Sequence, residues 1–342
     1  GDGLDDILIG ASWGGGSTYG RAYLFLAASL GSTAEIDLST ADFTVTGNSA
    51  YHTGYAGKTL ASAGDFDGDG FDDILIGSTL SYGNVGLFYS SSIMSYISAG
   101  NTQRYLSNAD LIFEGQNSYD YLGSSVACAG DVNGDGLDDI LLGAPGNTGY
   151  RGAVYIILGG YTASGYVQLT SSAYYDYIFQ GEDSGDYAGM SVSGAGDIDG
   201  DGLDDILIGA PYNDDGGDYA GKAYISLGST LATKDYDINL GSESDYTFTG
   251  RGEYDFLGDA VASAGDVDGD GLSDIIVGAY GNDDTASGAG MAYVVLGSSL
   301  PSGGGVIEDS LGMNGENMSD QAGWAVASAG DVDGDGIDEL FV

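Results

Sequence analysis

Short apolar runs punctuated by Gly, Asn, Asp and Ser recur along the whole chain, in the same order each time. The first kind of run is built from small residues, as in Leu60-Ala61-Ser62-Ala63-Gly64, Val126-Ala127-Cys128-Ala129-Gly130 and Val261-Ala262-Ser263-Ala264-Gly265. The second is aliphatic: Ile74-Leu75-Ile76-Gly77, Ile206-Leu207-Ile208-Gly209 and Ile275-Ile276-Val277-Gly278. After a Gly-rich segment comes a third, as in Ala153-Val154-Tyr155-Ile156-Ile157 and Met291-Ala292-Tyr293-Val294-Val295. A fourth closes the unit: Leu111-Ile112-Phe113-Glu114, Tyr177-Ile178-Phe179-Gln180 and Tyr246-Thr247-Phe248-Thr249. Such runs are too short and too turn-punctuated for helices and predict β-strands. No helical periodicity of useful length stands out.

Between the first and second run of each unit lies a nine-residue loop, Asp-x-Asp-Gly-Asp-Gly-x-x-Asp, that starts at residues 65, 131, 197, 266 and 331. A sixth copy begins inside the motif as Gly1-Asp2-Gly3-Leu4-Asp5-Asp6. Self-similarity at so regular an interval marks a repeat architecture. Four strands per unit of this length predict an all-β fold, a β-propeller of four-stranded antiparallel blades. A blade cannot bury both faces alone, so neighbouring blades must stack and the core becomes a series of sheet-to-sheet interfaces. The small residues of the first run suit inner strands crowded near the axis. The chain then reads as one propeller over residues 1–342. Its repeats fall near 1–50, 51–116, 117–182, 183–251 and 252–316, with a partial one at 317–342.

Phe256-Leu257-Gly258, the Asp266 loop and Gly278-Ala279 together resemble the FG-GAP repeat of integrin α-subunit propellers. Tyr121-Leu122-Gly123 with Gly143-Ala144-Pro145, and Tyr187-Ala188-Gly189 with Gly209-Ala210-Pro211, resemble it too, with Tyr for Phe. The resemblance covers essentially the whole chain. It implies a propeller, usually of seven blades, with calcium in the hairpin between the first and second strands. About five blades are present here, so the expectation is a segment of a longer parent.

Alternating carboxylates held close by glycines suit a hard cation, and calcium takes six to eight oxygen ligands. Positions 1, 3, 5 and 9 of each loop offer side-chain oxygens, while position 7 can offer only its carbonyl. The expected ligands are therefore Asp65, Asp67, Asp69, Phe71 and Asp73 in one loop, and Asp131, Asn133, Asp135, Leu137 and Asp139 in the next. They continue as Asp197, Asp199, Asp201, Leu203 and Asp205, then Asp266, Asp268, Asp270, Leu272 and Asp274, then Asp331, Asp333, Asp335, Ile337 and Glu339. The opening copy supplies Asp2, Leu4 and Asp6. Position 9 is expected to bind through both oxygens, and the apolar position 7 to anchor the loop in the core. Asn133 keeps an oxygen but drops a charge, which predicts a weaker site. Glu339 lengthens the last arm. An EF-hand would leave its loop in a helix; here each loop runs into an aliphatic strand signal. The blander alternative, Asp residues that only form turns, fits one Asp-Gly better than five nearly complete ligand sets.

Composition narrows the partners. Net charge is −45, from 52 acidic and 7 basic residues. The loops hold 25 Asp and one Glu, half of the acidic total, so the remaining surface is acidic as well. Nucleic acid and anionic membranes are excluded as partners on this balance, and no stretch suggests direct membrane insertion. The residual acidity suits either plain solubility or a saline habitat. Cys128 is the only cysteine, so no intramolecular disulfide forms; it fills the slot of Ser62, Ser263 and Ser328. Millimolar calcium outside cells saturates sites of this kind, so the expected location is extracellular or on the cell surface.

Tyr, Asn and Asp gather in Asn117-Ser118-Tyr119-Asp120-Tyr121, Pro211-Tyr212-Asn213-Asp214-Asp215, Arg251-Gly252-Glu253-Tyr254-Asp255 and Gly281-Asn282-Asp283-Asp284. These loops fall on the face opposite the calcium hairpins and suit a protein or glycan ligand, although Tyr can also simply cap strands. The expected role is adhesion or recognition. A second reading is a structural subunit of an extracellular filament, sheath or surface layer, self-assembling through open edge strands. A polysaccharide-active enzyme is the third and weakest. His52 is the single histidine and no nucleophile–His set can be assembled around the repeats, so the chain reads as no enzyme.

Overall fold

In the computed structural model, residues 4–13, 19–31, 35–48, 54–161, 164–301, 305–306 and 310–342 are described. Asp2 and His52 lie outside them. The strands in chain order are β1 (Ile7–Ala11), β2 (Arg21–Phe25), β3 (Phe43–Thr46), β4 (Thr59–Gly64), β5 (Asp73–Ser78), β6 (Asn84–Phe88), β7 (Gln103–Tyr105) and β8 (Leu111–Glu114). Then follow β9 (Ser125–Gly130), β10 (Asp139–Ala144), β11 (Ala153–Ile157), β12 (Gly165–Gln168), β13 (Tyr177–Gln180), β14 (Ser191–Gly196), β15 (Asp205–Ala210), β16 (Lys222–Ser226), β17 (Asp237–Asn239) and β18 (Tyr246–Thr249). The chain ends with β19 (Val261–Gly265), β20 (Asp274–Ala279), β21 (Met291–Val295), β22 (Gly305–Val306), β23 (Leu311–Asn314), β24 (Ala327–Gly330) and β25 (Glu339–Phe341).

The four runs of each repeat form an antiparallel meander, with β9-β10-β11-β13 as the pattern. The inner strands β4, β9, β14, β19 and β24 pack against one another in series. Both faces of the middle meanders are covered. In β10, Leu142 joins a cluster shared with the preceding blade, and Leu141 one shared with the following blade. Burial of both faces explains why the second run is aliphatic without alternation. The core is thus a row of blade-to-blade interfaces, as the repeat logic requires.

Two features depart from expectation. Among the described residues an extra, parallel strand covers the outer edge of four sheets, and each comes from the following repeat: β7 on β3, β12 on β8, β17 on β13 and β22 on β18. Those edges are therefore covered from within the chain, and β7, β12, β17 and β22 become the outermost strands of their sheets. The second departure is a helix, α1 (Ser90–Ser98), packed through the buried Ile93 against the cluster between the first two blades. Its Ile93–Ile97 pair at helical spacing was the available signal, diluted by five serines over nine residues.

Candidate metal centres

Each loop joins the first two strands of a sheet, and its position-1 carboxylate organises the turn. Asp131 Oδ1 accepts the N–H groups of Gly134 at 2.7 Å and Asp135 at 3.1 Å, and Oδ2 accepts that of Gly136 at 2.8 Å. Asp197, Asp266 and Asp331 repeat the arrangement. The glycines at positions 4 and 6 take left-handed conformations, φ +76° at Gly134 and +87° at Gly136, which turn successive peptides inward. At position 3, Asn133 Oδ1 accepts Asp135 N–H at 2.8 Å, as Asp199 Oδ1 does for Asp201 at 3.2 Å. The substitution thus leaves the oxygen where a carboxylate oxygen sits in the other loops.

Position 9 opens the second strand and is fully buried at Asp73, Asp139 and Asp205, with Asp274 1% exposed. Asp139 Oδ2 accepts Val132 N–H at 3.0 Å and Oδ1 accepts Gly159 N–H at 2.7 Å. Glu339 reaches the matching Val332 N–H at 2.7 Å with its longer arm. Asp6, in the opening copy, takes Ala27 N–H at 2.8 Å, just as Asp73 takes Ser90 N–H. Burial pushes Asp73, Asp139 and Asp205 up to about 7, against backbone hydrogen bonds that pull the other way. The metal-free native state therefore binds more protons than the unfolded chain between about pH 4 and 7, and its stability falls as pH rises through that window. Desalted, cation-free protein should melt at a higher temperature at pH 5 than at pH 8. Saturating calcium should flatten or reverse that slope.

Position 7 does not anchor the loop in the core. Phe71 is 47% exposed. Leu137, Leu203 and Leu272 instead lie beside position 4 of the preceding loop, where a Cβ on Gly68, Gly134 or Gly200 would sit 3.0, 2.9 and 2.9 Å from their methyl groups. The core anchor is position 2: Phe66, Val132 and Ile198 are buried to 1% or less. An apolar residue stands there in all five complete loops, a signal that was legible. Cys128 is half-buried and accepts Gly130 N–H at 3.3 Å through Sγ, as Ser62 accepts that of Gly64 at 3.1 Å; burial pushes its thiol up to about 12.

The carboxylates converge. One oxygen each from Asp65, Asp67 and Asp69 lies within 4.8 Å of the others, and the same holds for Asp197/Asp199/Asp205, Asp266/Asp268/Asp274 and Asp331/Asp333/Asp335. In the Asp65 loop, Asp65 Oδ1 and Asp73 Oδ2 are buried and have no hydrogen-bond partner. Orphaned buried carboxylate oxygens are costly. With one of them, on Asp65, inside the three-carboxylate cluster and the other at position 9 of the same loop, they fit a hard divalent cation. Positions 1, 3, 5 and 9 would hold it by side chains and position 7 by its carbonyl.

The FG-GAP repeat family matches residues 56–90, 123–157, 188–226 and 257–295, four segments in register with the second to fifth sheets. This chain is an FG-GAP β-propeller, integrin-α-like. "Integrin alpha-5" of Xenopus laevis is 31% identical over 262 residues, 74% of this chain and 22% of the relative. "Integrin alpha pat-2" of Caenorhabditis briggsae is 33% identical over 243 residues, 66% of this chain and 18% of the relative. "Phosphatidylinositol-glycan-specific phospholipase D" of Dictyostelium discoideum is 28% identical over 269 residues, 73% of this chain and 27% of the relative. The chain thus spans about a fifth to a quarter of the curated relatives named here. Among solved structures, the Dos1 propeller overlays on 92% of this chain and 57% of its own at a TM-score of 0.46 and 11% identity, too loose a likeness to add to the fold.

In this FG-GAP propeller the motif's two halves meet at the strand ends away from the metal loops. Gly123 N–H donates to the Gly143 carbonyl at 2.8 Å, and Gly189 to Gly209 at 2.9 Å. The aromatic before each, Tyr121, Tyr187 or Phe256, has a left-handed backbone at φ +56°, +57° and +54°, a conformation that costs energy in a bulky residue. Rings then run on from blade to blade: Tyr150–Tyr187 at 5.1 Å, Tyr187–Tyr212 at 5.0 Å, Tyr212–Phe256 at 5.6 Å, Phe256–Tyr280 at 5.0 Å and Tyr280–Trp324 at 4.6 Å. Tyr119, Tyr150, Tyr219, Tyr254 and Trp324 remain exposed. The polar residues of the same loops turn inward instead. Asn213 Nδ2 donates to Asp186 at 3.0 Å and Asn282 Nδ2 to Asp255 at 3.3 Å, all four buried. Half of the Tyr-Asn-Asp pattern is therefore structural.

Proposed function

We propose that the chain is a calcium-stabilised extracellular recognition module, with a protein or glycan ligand docking on the aromatic face. The observation that carries this is the separation of labour between the two ends of the strands. One end gathers carboxylates in five loops; the other presents an uninterrupted band of partly exposed rings. Next to that band the inner strands open on a cleft of about 340 Å³, lined among others by Ser125, Ser191, Asp259 and Trp324. Aromatic rings with two side-chain torsions offer contact area at low entropic cost. Calcium is favoured over magnesium because five or more protein oxygens per loop leave little of the water that magnesium keeps. Relatives named as integrin α chains support adhesion as the setting. Among the described residues no helix is long and apolar enough to cross a membrane.

The test is a screen of the full chain against glycan and extracellular-protein arrays in millimolar calcium, repeated with Tyr219→Ala and Trp324→Ala. Each substitution should weaken a bound ligand by about 2 kcal/mol, roughly thirty-fold, if these rings are central contacts. Melting temperature in calcium should stay within a degree or two. Ligand binding that ignores both substitutions would move the site off this face.

A further inference from the structure

The position-8 carboxylates are outside the expected ligand sets, and they are engaged with the neighbouring loop. Asp138 Oδ2 accepts Asp65 N–H at 2.7 Å while Asp138 N–H donates to the Asp65 carbonyl at 3.3 Å. The same reciprocal pair joins Asp204 to Asp131, at 2.8 and 3.2 Å, and Asp338 to Asp266, at 2.9 and 3.1 Å. Glycine leaves the room: a Cβ on Gly64, Gly130 or Gly265 would lie 2.1, 2.1 or 2.0 Å from the clasping Oδ2. One link differs. Between the Asp197 and Asp266 loops, position 8 is Ser273, whose N–H still donates to the Asp197 carbonyl at 2.9 Å but which has no carboxylate to return.

We propose that these clasps couple cation binding between adjacent loops and divide the loops into two blocks. The Asp65, Asp131 and Asp197 loops form one block, the Asp266 and Asp331 loops the other, and Ser273 is the break. This rests on the calcium reading above. The position-1 residue serves both sides of the link: its carboxylate belongs to one metal cluster and its peptide to the clasp. Position 8, in turn, stands between two expected ligands of the next loop, the position-7 carbonyl and the position-9 carboxylate. The position-7 side chain lies on the preceding loop's glycine at every link, Leu272 on Gly200 included, so the carboxylate clasp alone distinguishes the two blocks. Fixing one loop around a cation therefore fixes the peptide that orders the next, so the second cation meets a loop with less freedom left to lose. Asp138, Asp204 and Asp338 act here as positioning residues.

Hydrogen–deuterium exchange of the full chain across a calcium titration reads each loop separately. Asp138→Ser copies the natural break. It should raise the calcium midpoints for protection of both 65–73 and 131–139, by about three-fold or more, and leave 331–339 where it was. Ser273→Asp should draw the Asp266 loop to lower calcium. A purely structural role predicts otherwise: Asp138→Ser would shift all five loops alike, or only the loop that carries it, and either result overturns the coupling. An Asp266 loop unmoved by Ser273→Asp overturns the block assignment. Wild-type loops that gain no protection at millimolar calcium would sink the calcium reading itself, a result distinct from all of these.

Discussion

In chelator the chain should unfold far below its melting temperature in calcium. Each loop contributes by mass action. At about 1–2 mM free calcium and a dissociation constant near 0.1 mM, one site adds about 1.4–1.8 kcal/mol, and five sites about 8. That is comparable to the whole stability of many domains. The sign is set by the loops themselves: four carboxylates within one turn repel one another, and Asp65 Oδ1 and Asp73 Oδ2 have nothing else to bind. Scanning calorimetry in calcium, magnesium and chelator checks it. Calcium should restore the midpoint at millimolar concentration, and magnesium should restore less. A midpoint indifferent to chelator would end the calcium assignment.

The second large effect comes from a single methyl group. Gly209 faces the next blade so closely that a Cβ would lie 2.0 Å from the Gly258 carbonyl oxygen and 2.3 Å from Ser191 Oγ. Ser191 Oγ already donates to that same carbonyl at 2.7 Å. Neither obstacle is the free end of a flexible chain, so the blades must part. Gly209→Ala should cost roughly 3 kcal/mol or more, at the upper end of overpacking effects. Gly31→Ala is the control: it meets nothing within 4 Å and should stay within about 0.5 kcal/mol. Urea midpoints in saturating calcium compare the two. Equal midpoints would mean that the inter-blade contact is looser than its geometry implies. The same close approach explains why glycine recurs after the aliphatic run at Gly77, Gly143, Gly209 and Gly278.

The legible part of this chain was whatever repeats in register. Four strands, their order and the loops between the first two follow from spacing, because each copy solves the same burial problem. The extra strand was not legible. Gln103-Arg104-Tyr105, Gly165-Tyr166-Val167-Gln168 and Asp237-Ile238-Asn239 are three or four residues long, and the one feature they share, a buried leucine straight after the strand (Leu106, Leu169 and Leu240), is too brief a signal to stand out. The loop was half legible. Alternate carboxylates gave its chemistry, but the roles of positions 2, 7 and 8 depend on what the neighbouring copy puts beside them. Asp138 reads as one more acid in an acidic loop until Asp65 is seen across from it. The inward Asp186–Asn213 and Asp255–Asn282 pairs were hidden for the same reason: beside exposed Tyr they look like surface.

The borrowed outer strands have a consequence for biosynthesis. Since β12 completes the sheet of β8, and β17 that of β13, those blades are not finished when their own sequence has left the ribosome. At roughly 5–20 residues per second, the chain one repeat later arrives on the order of several seconds afterwards. For that interval a naked edge is on offer to any nascent neighbour, and pausing of translation inside a repeat would lengthen it.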